Sequence, residues 1–290
     1  MNNKKYINYS DEKTYIPKII WCYWHSDDLP ILIKKCLKSI IDNHPDFKIY
    51  ILNDDNVPDE ISKLKISKQS KQRKSDLIRL WYLKNYGGVW IDSTSLLSAP
   101  ITLYHDYEVN CYYLNDKNFI DSWYIAAKKN SKIINKWYDE LLFIDSLKSM
   151  KKYINLVDKE DKEIANIIYP SYLWIHIAIR RILHKNPNFI NQIKLMDSTS
   201  KGSPYELQHS AKWDHKVMKE LYKKNKYKYI KLTTQNRNEL GEEMFINKYD
   251  YKIINNYNFK NHNLNYQKLL SDYEIWYFNI AIAIIIFFIL

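Results

Sequence analysis

The chain has 290 residues, 46% of them apolar, which is enough to bury a sizeable core and too many for general disorder. Lys and Arg outnumber Asp and Glu by 44 to 33, a net charge of +11. That surplus suits a polyanionic partner such as nucleic acid, anionic lipid or a nucleotide diphosphate, although an AT-rich genome that encodes Lys freely produces it too. Cys22, Cys36 and Cys111 are odd in number and lack metal-ligand spacing, so they read as small apolar fillers in a reducing compartment.

Residues 1–16 form a polar arm with no secretory-signal pattern. Ile19 to Trp24 is a short apolar run that suits a buried strand. Asp27, Asp28 and Pro30 supply helix-start chemistry, and Leu32, Ile33, Cys36, Leu37, Ile40 and Ile41 recur at helical spacing over 30–43. Phe47 to Leu52 is a second strand, so the first quarter reads as a right-handed βαβ unit. A basic stretch from Lys63 to Lys74 precedes a further helix. Its expected N-cap is Ser75, with Asp76 in the first turn, where the helix dipole favours an anion. Gly87 ends that helix at a position wanting positive φ, and Val89-Trp90-Ile91 is a third strand with Asp92 at its carboxyl end. Open α/β sheets bind ligands in the crevice beyond those ends.

Farther along, strands are expected at 112–114, 122–126 and 193–196, and helices at 131–143 and 172–185. The polar region 205–265 is poorly defined by its pattern. Ile275 to Leu290 is apolar except for Asn279 and as a helix would be roughly 24 Å long. It reads as a tail anchor, an interfacial helix or the start of a membrane span, with a buried core helix as the plain alternative. Asp92-Ser93-Thr94-Ser95 recurs as Asp197-Ser198-Thr199-Ser200, but the flanks differ and the repeat reads as coincidence.

Several side chains could carry chemistry. Only four glycines occur, and two are adjacent at 87–88, which implies a backbone demand at that spot. Asp92, extended by Ser93, Thr94 and Ser95, offers oxygen ligands to a hard divalent cation on a diphosphate; taken alone, a strand-end Asp is more often a turn cap. Asp76 and Arg79 share one helix face, either as an ordinary ion pair or as a grip on sugar hydroxyls and phosphate oxygens. Trp21 and Trp24 either stack on a base or fill the core. His176 reads as a satisfied core or pocket-wall residue, and His209 and His215 have no partner motif.

In combination, IPKIIWCYW, CLKSIIDNHPDFKIYILND and KSDLIRLWYLKNYGGVWIDSTSLLSAPI resemble the capsular-polysaccharide-synthesis glycosyltransferases. That group is similar to a wider set holding fungal Golgi mannosyltransferases and clostridial glucosylating toxins. The resemblance is dense over residues 16–101 and looser beyond. It implies a GT-A type α/β fold, with a mostly parallel central sheet flanked by helices and a helical C-terminal part. The expected organisation is the arm (1–16), a transferase domain (17–265) and an apolar tail (272–290). Within the domain, a donor half runs to about residue 130 and an acceptor half follows from 131.

It further implies that Trp24 stacks on the nucleobase, that Asp76 and Arg79 hold the donor sugar, and that Asp92 sits at the diphosphate. Trp21, Ser75, Gly87, Gly88, Trp90 and Ser93 complete the expected donor surface. Mn2+ or Mg2+ would rest on Asp92 and Thr94, the latter standing where the family's D-x-D pattern has a second carboxylate. The partners implied are a nucleotide-diphosphate sugar and a glycan or lipid-linked glycan acceptor, with retention of configuration and no nucleic acid. The expected location is the cytoplasmic face of the membrane. A catalytically inactive membrane-bound scaffold and a basic nucleic-acid-binding module are the competing readings.

Overall fold

The computed structural model of the chain describes residues 15–114, 119–167 and 169–264. The tail 272–290 lies outside them, as does the arm up to residue 14, and among the described residues no helix is long and apolar enough to cross a membrane. The apolar run of the sequence forms β1 (Ile19–Tyr23), and the helical spacing after it forms α1 (Ile31–Asn43). Pro30 takes the N-cap position, so Asp27 and Asp28 do not cap this helix; Asp27 instead accepts a hydrogen bond from Asn53 Nδ2 at 2.6 Å. β2 (Lys48–Leu52) returns parallel to β1, in register from Ile19↔Lys48 to Tyr23↔Leu52.

A short helix, α2 (Asp59–Ser62), leads to the long α3 (Lys71–Tyr86). Its cap is Ser70, whose hydroxyl accepts from Arg73 N at 3.1 Å, and not Ser75 as expected. Ser70 is followed by Lys71-Gln72-Arg73 and Ser75 by Asp76, and either opening suits a first turn, so the local pattern does not choose between them. The helix therefore starts one turn earlier, and Asp76 lies inside it, beyond the reach of the terminal dipole. β3 (Gly88–Ile91) and β4 (Ser95–Leu97) follow, then β5 (Val109–Leu114) and β6 (Phe119–Ala127). Helices α4 (Lys132–Ser146), α5 (Met150–Glu160), α6 (Lys162–Ala165) and α7 (Trp174–Lys185) precede β7 (Ile193–Asp197). The last third is mainly helical: α8 (Glu206–Ser210), α9 (His215–Lys224), α10 (Thr234–Leu240) and α11 (Lys248–Asn256). Among them only β8 (Tyr229–Lys231) is a strand, paired antiparallel with β4.

The main sheet has the order β2-β1-β3-β6-β5-β7, and only β6 runs against the other five. This is the mostly parallel, helix-flanked α/β arrangement expected from the sequence. Both faces are covered, as the alternation of side chains records. Trp21, Tyr23 and Trp90 point into a core with α3, α4 and α7, whereas Ile20, Cys22, Val89 and Ile91 pack on α1 from the other side. α1 has a second buried face, Leu32 and Cys36, against which the C-terminal helices and β8 build a third core. All three cysteines are free and buried.

The glycine pair sets where β3 meets its neighbour. Gly87 ends α3 at φ +66° and Gly88 follows at φ +90°. A Cβ on Gly88 would stand 2.6 Å from Ile19 O, and one on Gly87 would stand 2.6 Å from Lys129 N. The indole of Trp21 crosses from β1 to donate to Gly87 O at 2.8 Å. Gly88→Ala is therefore expected to destabilise the fold by about 2–4 kcal/mol, from a left-handed backbone and a backbone clash together. Urea unfolding measures the loss; a change below about 1 kcal/mol would mean that β1 and β3 can separate freely.

Candidate active site

The carboxyl ends of β1 and β3 and the start of β6 open into a cleft of about 800 Å3, closed on one side by the first turn of α7. Trp24, just past β1, and Asp92, just past β3, both line it, as do Asp121 and Trp123 of β6. A second hollow of about 540 Å3, between α1, β4 and α11, contains none of the residues singled out from the sequence.

Four charged side chains form a continuous chain in the cleft. Arg79 is 4% exposed, and its guanidinium donates to Asp76 Oδ1 at 2.7 Å and to Asp92 Oδ1 at 2.9 Å. Two tryptophans complete the carboxylates: Trp174 Nε1 donates to Asp76 Oδ2 at 2.7 Å and Trp90 Nε1 to Asp92 Oδ1 at 2.8 Å. The Arg79 guanidinium also lies 5.1 Å from the Trp90 ring centroid. Lys231 Nζ then contacts Asp92 Oδ2 at 2.9 Å and Thr94 Oγ1 at 2.5 Å.

Lys231 arrives by strand pairing. The turn after Asp92 is closed by Ser95 N donating to Asp92 O at 3.1 Å, and β4 begins at once. Ser95 pairs with Lys231, and Leu232 N donates to Thr94 O at 2.9 Å, which fixes the lysine opposite the turn that carries Asp92. Gln208 Nε2 donates to Lys231 O at 2.6 Å from behind. Beside it, Arg237 of α10 lines the cleft with its guanidinium anchored on Leu232 O at 3.1 Å.

The two carboxylates titrate apart because their surroundings differ. Burial opposes charge on Asp92, but Lys231 and Arg79 outweigh it and hold the group down at about 2. Burial dominates at Asp76 and lifts it to about 6, with Arg79 and the Trp174 N–H offsetting only part. His176 is pushed down to about 4 by burial, and its Nδ1 lies 2.7 Å from Ile120 O, so this nitrogen carries the proton and donates. It is a satisfied residue of the cleft wall.

Of the residues expected at a donor surface, Trp24, Ser75, Asp76, Arg79, Asp92, Ser93 and Thr94 line the one cleft. Trp21, Gly87, Gly88 and Trp90 do not. Trp21 has no exposed surface and stacks on Tyr50 at 5.0 Å, so base stacking does not fit its place. Gly87 and Gly88 hold the backbone behind the sheet edge, and Trp90 touches Asp92 from the core side. Four further residues stand at the site without a motif to mark them: Lys231, Arg237 and Asp121 line the cleft, and Trp174 donates to Asp76. The short run Tyr229-Ile230-Lys231-Leu232 was the available signal for the first: a strand-like segment with one cation. The expected metal ligands, Asp92 and Thr94, both face Lys231 Nζ. Among the described residues no group of three or more His, Cys, Asp and Glu side chains stands close enough to hold a metal ion.

Arg79→Met leaves the buried Asp76 and the half-buried Asp92 without their shared cation and is expected to cost about 3–5 kcal/mol of stability, read from denaturant melts. His176 adds a pH dependence of known sign. Its folded value of about 4 lies below the ordinary 6.5, so the unfolded chain takes up the proton first and stability falls as pH drops through that window. The slope reaches about 1.4 kcal/mol per pH unit at most. Melts of His176→Asn against the parent between those values check it, since the variant should lose that part of the slope.

Residues 2–249 match the family described as capsular polysaccharide synthesis protein. Inositol phosphoceramide mannosyltransferase 3 of Schizosaccharomyces pombe is 29% identical over 91 residues, which are 29% of this chain and 26% of that protein, so only about a quarter of the relative is spanned. Among solved structures, the PaToxG glycosyltransferase is similar at 17% identity, with 83% of this chain and 84% of that one covered and a TM-score of 0.41. The ligand-free glycosyltransferase domain of the YGT toxin gives 10% identity, 78% and 89% coverage and a TM-score of 0.45. A glycosyltransferase involved in glycosylation of the major capsid of PBCV-1 gives 12%, 78% and 97%, and 0.43. The family match extends over most of the residues that build the sheet, the cleft and its ion chain, and by it this chain belongs to the capsular polysaccharide synthesis protein family.

Proposed function

We propose that this glycosyltransferase moves one sugar from a nucleotide-diphosphate donor to a growing surface glycan of the capsule or lipopolysaccharide type. The observation that carries the reading is the Asp76–Arg79–Asp92–Lys231 chain lying in a single cleft at the sheet's carboxyl edge. Such a chain presents fixed carboxylates for hydroxyl groups and fixed cations for phosphate oxygens, already oriented before the substrate arrives. Trp24, half-buried at the cleft wall, offers the aromatic face for the base. Arg79 Nε is buried and has no acceptor among the described residues, which a donor oxygen would supply.

In the reaction the bond from the anomeric carbon to the diphosphate oxygen breaks, and the electron pair leaves with the nucleoside diphosphate. The acceptor hydroxyl oxygen bonds the same carbon from the same face, and its proton passes to the departing phosphate oxygen. Configuration is thereby retained, and no separate side-chain base is needed, in keeping with a neutral His176 whose Nδ1 is committed to Ile120. The acceptor is a glycan or lipid-linked glycan at the inner membrane face. Attachment through 272–290 belongs to the same proposal, and those residues lie outside the described ones.

A panel of nucleotide sugars assayed for release of the nucleoside diphosphate tests the reading. One donor should turn over, with Asp92→Ala lowering kcat by on the order of a hundredfold or more. Absence of turnover with every donor, or full activity in that variant, defeats it. Product NMR reports the anomeric configuration. Because Asp76 must be ionised to accept sugar hydroxyls, kcat/KM should rise with pH through about 6 and then level off, and Asp76→Asn should lack that limb.

A further inference from the structure

A divalent cation needs oxygen lone pairs that are free to face it. At the end of β3 most of these are already engaged by cations and N–H donors. Asp92 Oδ1 accepts from Arg79 and Trp90, Asp92 Oδ2 accepts from Lys231, and Thr94 Oγ1 also meets Lys231. The side chains that would hold a metal thus surround an ammonium group, and the residues present do not fit a dication held by the protein.

Lys231 is not a surface lysine that has swung inward. It is 8% exposed, and its main chain is fixed on three sides: by pairing with Ser95, by Gln208 on its carbonyl, and by its own N–H donating to Pro204 O at 2.9 Å. Six residues on, Arg237 puts a second cation on the same wall, its guanidinium tied to Leu232 O and to Thr234 Oγ1 at 3.2 Å. Fixed cations on a cleft wall match the oxygens of a diphosphate, which need charge and hydrogen-bond donors and are indifferent to whether a metal supplies them.

We infer that Lys231 Nζ, held by Asp92 and Thr94 and seconded by Arg237, takes the place of the divalent cation, so that the donor diphosphate binds and departs on protein cations alone. The inference rests on the donor reading above and adds to it how the leaving group is neutralised. Lys231 keeps its proton throughout: it donates hydrogen bonds to the phosphate oxygens while the nucleoside diphosphate leaves with the electron pair of the broken bond. Asp92 and Thr94 then act as positioning residues for the ammonium group.

Calorimetric titration of the full chain with UDP, GDP, CDP and inorganic pyrophosphate, in EDTA and again with Mn2+, tests the inference without an activity assay. A nucleoside diphosphate should bind in EDTA with an affinity that Mn2+ does not improve. Lys231→Met should weaken that binding by about tenfold or more, while Lys231→Arg keeps most of it. Binding that appears only with Mn2+, or that survives Lys231→Met unchanged, overturns the inference and leaves the transferase reading standing. No binding of any nucleoside diphosphate under either condition brings down both. The EDTA comparison is made on the unaltered chain, so it decides the matter even if Lys231→Met fails to fold.

Discussion

A guanidinium buried between two carboxylates holds the cleft together. Arg79 projects from the middle of α3, donates to Asp76 of its own helix at spacing i,i+3, and reaches across to donate to Asp92 beyond β3. Charges taken out of water are tolerable only when their hydrogen bonds are nearly complete. Here Trp174 and Lys231 take the carboxylate oxygens that Arg79 leaves open, and the Trp90 indole shares Asp92 Oδ1 with Arg79. One cation therefore locks a helix to a strand end, and the lock is also part of the cleft wall. A group positioned in this way has little orientational freedom left to lose on binding.

The lock works only if β3 lies close against β1, and this is where the glycines act. Without Cβ atoms at 87 and 88 the chain turns out of α3 and passes Ile19 at backbone distance, with the Trp21 indole bonded to Gly87 O. From there Trp90 falls on the helix side and Asp92 past the last pairing, because side chains alternate along a strand. The C-terminal helices reach the same point from the opposite direction. They pack on the second face of α1 and carry β8 to β4, so that a separate core controls where Lys231 stands.

The sequence was legible where neighbours along the chain are neighbours in space. The β1-α1-β2 unit, the helix ending at Gly87 and the strand before Asp92 follow from local pattern, and so does the pairing of Asp76 with Arg79. It was illegible in two physical situations. Trp21 and Trp24 lie three apart at one strand end, and with both sheet faces buried nothing in an apolar run tells which ring reaches the cleft. Lys231 stands 139 positions from Asp92, in a polar segment whose one short strand is defined by its partner and not by its own pattern. A contact of that separation leaves no trace in local periodicity.

The repeated tetrapeptide makes the same point with composition held constant. Ser93 and Ser198 each donate to a tyrosine carbonyl at 2.8 Å, Tyr23 in one case and Tyr113 in the other, and each latches its strand end to the strand alongside. Asp197 then turns back on its own loop, accepting Thr199 N at 2.7 Å and Thr199 Oγ1 at 2.8 Å, an exposed turn cap and nothing more. Asp92 has the same three residues after it, yet its carboxylate faces Arg79 and Lys231, neither of them from the tetrapeptide. Its value of about 2 is set by these two cations, whereas Asp197 is lowered chiefly by the amide of its own turn. What distinguishes a site from a turn here is the charge that distant segments bring to the strand end, and it is this charge that a phosphate-bearing substrate can recognise.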